Sequence, residues 1–120
     1  MPQKTKIVIA DDNAAIRSTL KDILAEKGFL VEVVQNGYDL LLYLRKNPAD
    51  IIILDMVMPV KGGMEIFSAI RSLRPNIKII IYTGFRKYED SIYARSADKF
   101  LLKGGDPAKL LKAVQVLLEK

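Results

Sequence analysis

Histidine and cysteine are both absent from the chain's 120 residues. With no thiol, a disulfide framework, an iron–sulfur cluster and a thiolate zinc site are excluded, and a reducing, intracellular setting is expected. With no imidazole, the commonest general base and the commonest zinc ligand are gone. Phosphohistidine is excluded too, so in any phosphate chemistry this chain is not a histidine donor. No apolar run approaches the roughly 20 residues that span a bilayer. No signal peptide is visible either: Met1 to Lys6 is polar, and the apolar run behind it breaks at Asp11 and Asp12. A cytoplasmic protein without membrane contact is expected. A run of basic residues is also missing. The net charge is +5, but Lys and Arg are scattered along the chain, as on a solvated face, and nucleic-acid binding by this chain alone is not expected.

What is present is globular in composition, with 50% hydrophobic and 28% charged residues. Short apolar runs alternate with helix-periodic segments. Ile7-Val8-Ile9-Ala10 is a strand that stops at two acids. Ile16, Leu20, Ile23 and Leu24 have helical spacing, with Asn13 as N-cap and Gly28 as stop. Phe29 to Val34 is a second strand. Tyr38, Leu41, Leu42 and Leu44 mark a second helix, ended by Asn47-Pro48. Ile51 to Leu54 is a third strand and again ends in an acid, Asp55. Met64, Phe67, Ile70 and Leu73 form a helical stripe ended before Pro75. Ile77 to Tyr82 is a fourth strand, Tyr88 to Ala94 suggests a short fourth helix around Ile92, and Phe100 to Leu102 is a fifth strand. Leu110, Leu111, Val114, Leu117 and Leu118 form the last helix, with Asp106 as N-cap and Pro107 in the first position. Five β-α units whose strands are apolar throughout predict an α/β fold: an open, doubly wound, five-stranded parallel sheet covered on both faces.

In such sheets ligands bind beyond the carboxyl ends of the strands. There stand Asp11 and Asp12 after the first strand, Asp55 after the third, Thr83 after the fourth and Lys103 after the fifth. Any one of these acids reads equally well as a helix cap or a solvated loop residue. Their coincidence on strand ends, beside a hydroxyl and an amine, points to chemistry. Three crowded carboxylates repel unless something neutralises them, and Mg2+ suits a set of hard oxygen ligands, with Mn2+ as a substitute. A carboxylate beside a bound cation and a lysine suits phosphoryl transfer, where catalysis is mostly positioning and charge neutralisation. The carboxylate itself is a competent nucleophile for an acyl phosphate.

This constellation resembles a response-regulator receiver domain of two-component signalling, over nearly all of the chain. The markers are Asp11-Asp12, the loop Asp55-Met56-Val57-Met58-Pro59 with Gly63, then Thr83 and Lys103. The resemblance implies one receiver domain over 1–120, a CheY-like, flavodoxin-like fold with strand order 2-1-3-4-5, and Asp55 as phosphoacceptor. It implies Mg2+ held by Asp12, Asp55 and the backbone carbonyl of Val57, with Asp11 acting through water. It implies that Lys103 pairs with the phosphoryl group, that Thr83 moves toward it, and that Phe100 changes rotamer in response. The donor would be a sensor histidine kinase or a phosphotransfer protein, and the result would be control of an output protein or domain. Val57 and Phe85, two residues after the acceptor and two after the switch Thr, would control water access and so the lifetime of the acyl phosphate.

The sequence departs from the family in three places. Gly104-Gly105 stands where a proline usually follows the lysine. Ser96 replaces the usual Gly before Ala97. The stretch from Thr83 to Lys103 is about two residues shorter than usual, so a short or shifted fourth helix is expected. Beside a free-standing switch, the nearest alternative is a receiver cut from a longer DNA-binding transcriptional regulator, which Phe100 to Pro107 resembles. The last helix runs almost to Lys120 and leaves no linker. A phosphatase with an aspartyl nucleophile usually carries a second Asp two residues on, and here that position is Val57. A flavin binder needs a Ser/Thr/Gly-rich phosphate loop, and Asp11-Asp12-Asn13 would repel phosphate.

Overall fold

The computed structural model describes residues 4–119, with Met64 described by its backbone alone. Met1 to Gln3, Lys120 and the Met64 side chain of the third apolar stripe therefore lie outside the described residues. The elements run β1 (Lys6–Ala10), α1 (Ala14–Glu26), β2 (Leu30–Val34), α2 (Gly37–Lys46), β3 (Ile51–Leu54), α3 (Gly63–Leu73), β4 (Lys78–Thr83), α4 (Ile92–Ser96), β5 (Lys99–Leu102) and α5 (Ala108–Leu118), with a 3-10 turn at Arg86–Tyr88 before α4. All strand pairs are parallel, in the order β2-β1-β3-β4-β5. Among the described residues no helix is long and apolar enough to cross a membrane.

The continuous apolar runs are explained by two covered faces. Side chains alternate along a strand, so Val8, Ala10, Ile52, Leu54, Ile79 and Ile81 pack beneath α2 and α3. Ile7, Ile9, Ile51, Ile53 and Ile80 pack beneath α1 and α5. Every one of these is buried, and each contributes roughly 1.5–3 kcal/mol of apolar transfer for the larger side chains. The edge strands β2 and β5 are only half-buried or exposed.

Local chemistry sets the boundaries. Asn13 accepts from the Ile16 amide, as expected of an N-cap. Gly28, at φ +95°, ends α1 in a Schellman motif: its amide reaches Ala25 O and that of Phe29 reaches Leu24 O. That second bond commits the Phe29 amide to the cap, so β2 starts at Leu30 rather than Phe29. Ile77 likewise donates to Arg74 O in a turn, and β4 runs one residue later at both ends than the apolar pattern predicts. The Asp106 carboxylate accepts from the Ala108 amide at 2.9 Å and Pro107 is helical in φ and ψ, so Asp106 caps α5 although regular helix begins at Ala108. The fourth helix is short, five residues capped by the Ser91 hydroxyl, and Tyr88 belongs to the preceding turn and not to the helix.

Candidate functional site

The sheet ladder continues one residue past three of its strands. The Asp11 amide donates to Val34 O (3.1 Å), that of Asp55 to Ala10 O (3.0 Å) and that of Lys103 to Thr83 O (2.8 Å). The backbone of each is therefore fixed while its side chain points beyond the carboxyl edge. Lys103 Nζ stands between two carboxylates, 2.6 Å from Asp11 Oδ2 and 3.1 Å from Asp55 Oδ2. Asp11 and Asp55 are buried, at 2% and 5% exposure, while Asp12 is exposed. The remaining oxygens of the buried pair are also engaged. Asp11 Oδ1 accepts from the Asn13 amide at 2.9 Å, and Asp55 Oδ1 accepts from the Val57 amide at 3.2 Å. One ligand oxygen from each of Asp11, Asp12 and Asp55 lies within 4.8 Å of the others, a hard-oxygen arrangement that fits a small divalent cation.

One amine serves two acids, and the shorter contact goes to Asp11. Burial lifts the Asp55 carboxyl above the ordinary carboxylate range. The Lys103 charge and the Val57 amide oppose that rise, and the Asp11 charge adds to it. Burial works against the Lys103 ammonium, but the Asp11 hydrogen bond and the charges of Asp55 and Asp11 outweigh it, so Lys103 is held above the usual lysine value.

Thr83 is fully buried at the end of β4, and its hydroxyl oxygen accepts from the Phe85 amide at 3.3 Å. That leaves the hydroxyl proton available to a partner. Phe100 sits on β5 in register with Ile81 and packs half-buried against the cluster beneath α2 and α3. Val57 and Phe85 are 42% and 48% exposed, so both are open to solvent. The Phe85 ring meets Tyr88 edge-on at 6.4 Å.

Two features of the site are invisible in the residue pattern. Arg17 Nη1, from the first turns of α1, donates to the Asp11 carbonyl at 2.8 Å. A contact to backbone leaves no residue-type signal. The second is the β3–α3 loop. Val60 has φ 71°, and the Lys61 amide donates to Pro59 O at 2.9 Å, which together make a strained three-residue γ-turn. A positive φ on a β-branched residue costs roughly 1–3 kcal/mol and survives only where the surroundings over-determine it. Gly63 is part of that surrounding: its amide donates to Asp55 O at 3.2 Å, and a Cβ there would stand 2.8 Å from the same oxygen.

Comparison with known proteins agrees with this geometry. The family model for the response regulator receiver domain matches residues 7–115. The DNA-binding transcriptional regulator NtrC of Azospirillum brasilense is 32% identical over 111 residues, covering 91% of this chain and 23% of NtrC. The chain spans about a quarter to a half of the length of such relatives, reaching 51% of the response regulator MprA of Mycobacterium. The crystal structure of a receiver domain protein from Methanospirillum hungatei superposes with a TM-score of 0.91 at 28% identity, covering 98% of this chain and 95% of that one. Response regulator TrrA of Thermotoga maritima, solved with Mg2+ and BeF, gives a TM-score of 0.88 at 30% identity, covering 94% and 98%. TrrA has also been solved in complex with the histidine kinase ThkA, where it gives 0.86 at 31% identity and coverage of 95% and 98%.

Proposed function

The chain belongs to the response-regulator receiver family, and we propose that it switches when Asp55 accepts a phosphoryl group. One observation carries the proposal: a single amine, Lys103, is shared between two buried carboxylates, with a third and exposed acid beside them. A carboxylate oxygen of Asp55 forms the new bond to phosphorus, and the bond from phosphorus to the donor's leaving atom breaks. The donor is a phosphohistidine on a sensor kinase or phosphotransfer protein, a class of partner supported by the ThkA–TrrA complex. Asp12, Asp55 and the Val57 carbonyl, with Asp11 through water, would hold a divalent cation, Mg2+ or Mn2+ in its place, which would supply positive charge to the incoming group. Lys103 exchanges its carboxylate partners for a phosphoryl oxygen, the Thr83 hydroxyl donates to another, and Phe100 follows. The output is a partner or an attached domain, and the chain catalyses nothing beyond its own phosphorylation and dephosphorylation. Incubation with a phosphohistidine donor or acetyl phosphate and Mg2+, followed by intact mass measurement, tests this. No phosphate-sized gain on the wild-type chain would refute it.

Asp12→Ala should weaken Mg2+ binding more than Asp11→Ala. Both Asp11 oxygens already have partners in Asn13 and Lys103, whereas Asp12 is exposed with no side-chain partner among the described residues. Magnesium titration followed by chemical shifts gives both affinities, and equal losses would contradict the ranking.

The acyl phosphate should also be long-lived for a receiver. Hydrolysis needs a water placed in line with the phosphorus–oxygen bond, and a polar side chain holds it there. Val57 offers no such hydrogen bond, and Phe85 offers bulk. Phe85→Glu with Val57→Asn should speed phosphate loss about tenfold or more, a barrier change of roughly 1.4 kcal/mol. Phe85 contacts Tyr88, so a ring held wholly on that turn would leave the rate unchanged. Following phosphoprotein decay after donor removal separates the two outcomes.

A further inference from the structure

Gly37 stands in the first turn of α2, where an alanine would favour the helix more than a glycine does. Its backbone is not in the left-handed region, so its own conformation does not call for glycine. What calls for it is the neighbour. The Gly37 amide donates to Lys61 O at 2.7 Å, and a Cβ on residue 37 would stand 2.5 Å from that same oxygen and 2.9 Å from Lys61 Cβ. Lys61 closes the γ-turn at Val60, on the loop that carries Val57, whose amide meets Asp55 Oδ1. Helix α2 is remote from the five residues of the site in sequence, yet its first amide grips the loop that shapes it.

We propose that Gly37 is a positioning residue: by close backbone contact, the N-terminus of α2 holds the β3–α3 loop in the posture that sets the Asp55 carboxylate for cation and phosphoryl group. The inference rests on Asp55 being the phosphoacceptor and goes beyond it by naming what holds its loop. An amide hydrogen bond of this length and a missing Cβ act together, because any side chain at 37 would push Lys61 away and lose the bond. The loop would then be free to relax the positive φ at Val60, and Val57 would move with it. The site would keep all its side chains but lose their alignment.

Gly37→Ala tests this, with Gly28→Ala as the control for general destabilisation. Gly28 lies at the far end of α1 with φ +95° and open space around its Cβ position, so alanine there strains the backbone without touching the loop. In Gly37→Ala the Mg2+ affinity should fall at least about tenfold and acetyl-phosphate labelling should slow with it, as misplaced reacting groups demand. The Val57 amide resonance should shift in the metal-free protein. In Gly28→Ala the melting temperature should fall while Mg2+ affinity stays within about twofold of wild type, as expected of distant sites. If Gly37→Ala alone does not fold, Val60→Gly is added to let the loop retreat from the new methyl, and the same affinity criterion applies to the double variant. A folded Gly37→Ala, or the double variant, that binds Mg2+ like wild type overturns the inference while leaving Asp55 as acceptor. A wild-type chain that binds no Mg2+ and takes no phosphoryl group overturns both.

Discussion

Asp55→Ala should gain no phosphate-sized mass with acetyl phosphate and Mg2+, while the wild-type chain gains one. Asp55 is the acid whose carboxylate is buried, touched by Lys103 and touched by the Val57 amide. Asp11 is buried too and its two oxygens are engaged in the same way, but it holds the shorter Lys103 contact, 2.6 Å against 3.1 Å, so the Asp55 oxygen is the one more readily released to phosphorus. A persistent gain in the mutant would move the nucleophile elsewhere. Asp55→Asn adds a second readout that needs no donor. Burial raises the Asp55 carboxyl above its unfolded value, so the folded chain binds that proton more tightly than the unfolded chain does. Protonation is therefore stabilising. The benefit is present at low pH and lost as pH rises through the folded value, leaving a penalty at neutral pH. The neutral amide removes that penalty. Metal-free Asp55→Asn should melt at a higher temperature than wild type at pH 7, and the gap should narrow on acidification. A variant that melts lower at pH 7 would mean that Lys103 stabilises the Asp55 charge more than burial penalises it.

Lys103→Ala should destabilise the metal-free fold, by about 2 kcal/mol or more, because it strands two buried carboxylates against each other. The full cost of breaking a buried pair is discounted here, since the lysine side chain keeps 18% exposure. Mg2+ should still bind, and at least as tightly as in wild type, since a cation now meets no resident ammonium competing for Asp11 and Asp55. Binding should restore much of the lost stability. Phosphorylation should then fail to produce the normal spectral change, because the dianion has lost its cationic partner. Denaturant melts with and without Mg2+, and amide spectra with BeF, measure the three effects. Loss of Mg2+ binding, or a normal switch, would contradict the role given to Lys103.

The strands were legible because two covered faces leave a parallel strand no solvent side, so Ile7 to Ala10 and Ile51 to Leu54 stand out as unbroken apolar runs. The strand ends followed, and with them Asp11, Asp12, Asp55 and Lys103. Which acid the lysine prefers was not legible. That choice lies in rotamers and in what else binds each oxygen, such as the Asn13 amide two residues from Asp11. Tyr88 was assigned to a helix because an aromatic four residues from Ile92 fits helical spacing as well as it fits a turn. The γ-turn at Val60 left no trace, since valine is among the last residues expected at a positive φ. Nothing in the sequence marks Gly37, because its reason is a carbonyl oxygen 24 positions away in sequence.

The short fourth helix also determines where deformation is cheap. Neither it nor the preceding 3-10 turn buries a single residue, while β1 and β3 next to the acids are buried along almost their whole length. Local opening free energy follows buried apolar contact, so the molecule has a steep mechanical gradient across a few residues. A load applied at Thr83 meets a rigid sheet on one side and a compliant segment, 84–98, on the other. Strain introduced there relaxes into the compliant side, which touches the packed core through the half-buried Tyr88, Tyr93 and Ala97, with Tyr93 edge-on to Phe67 (centroids 5.8 Å apart).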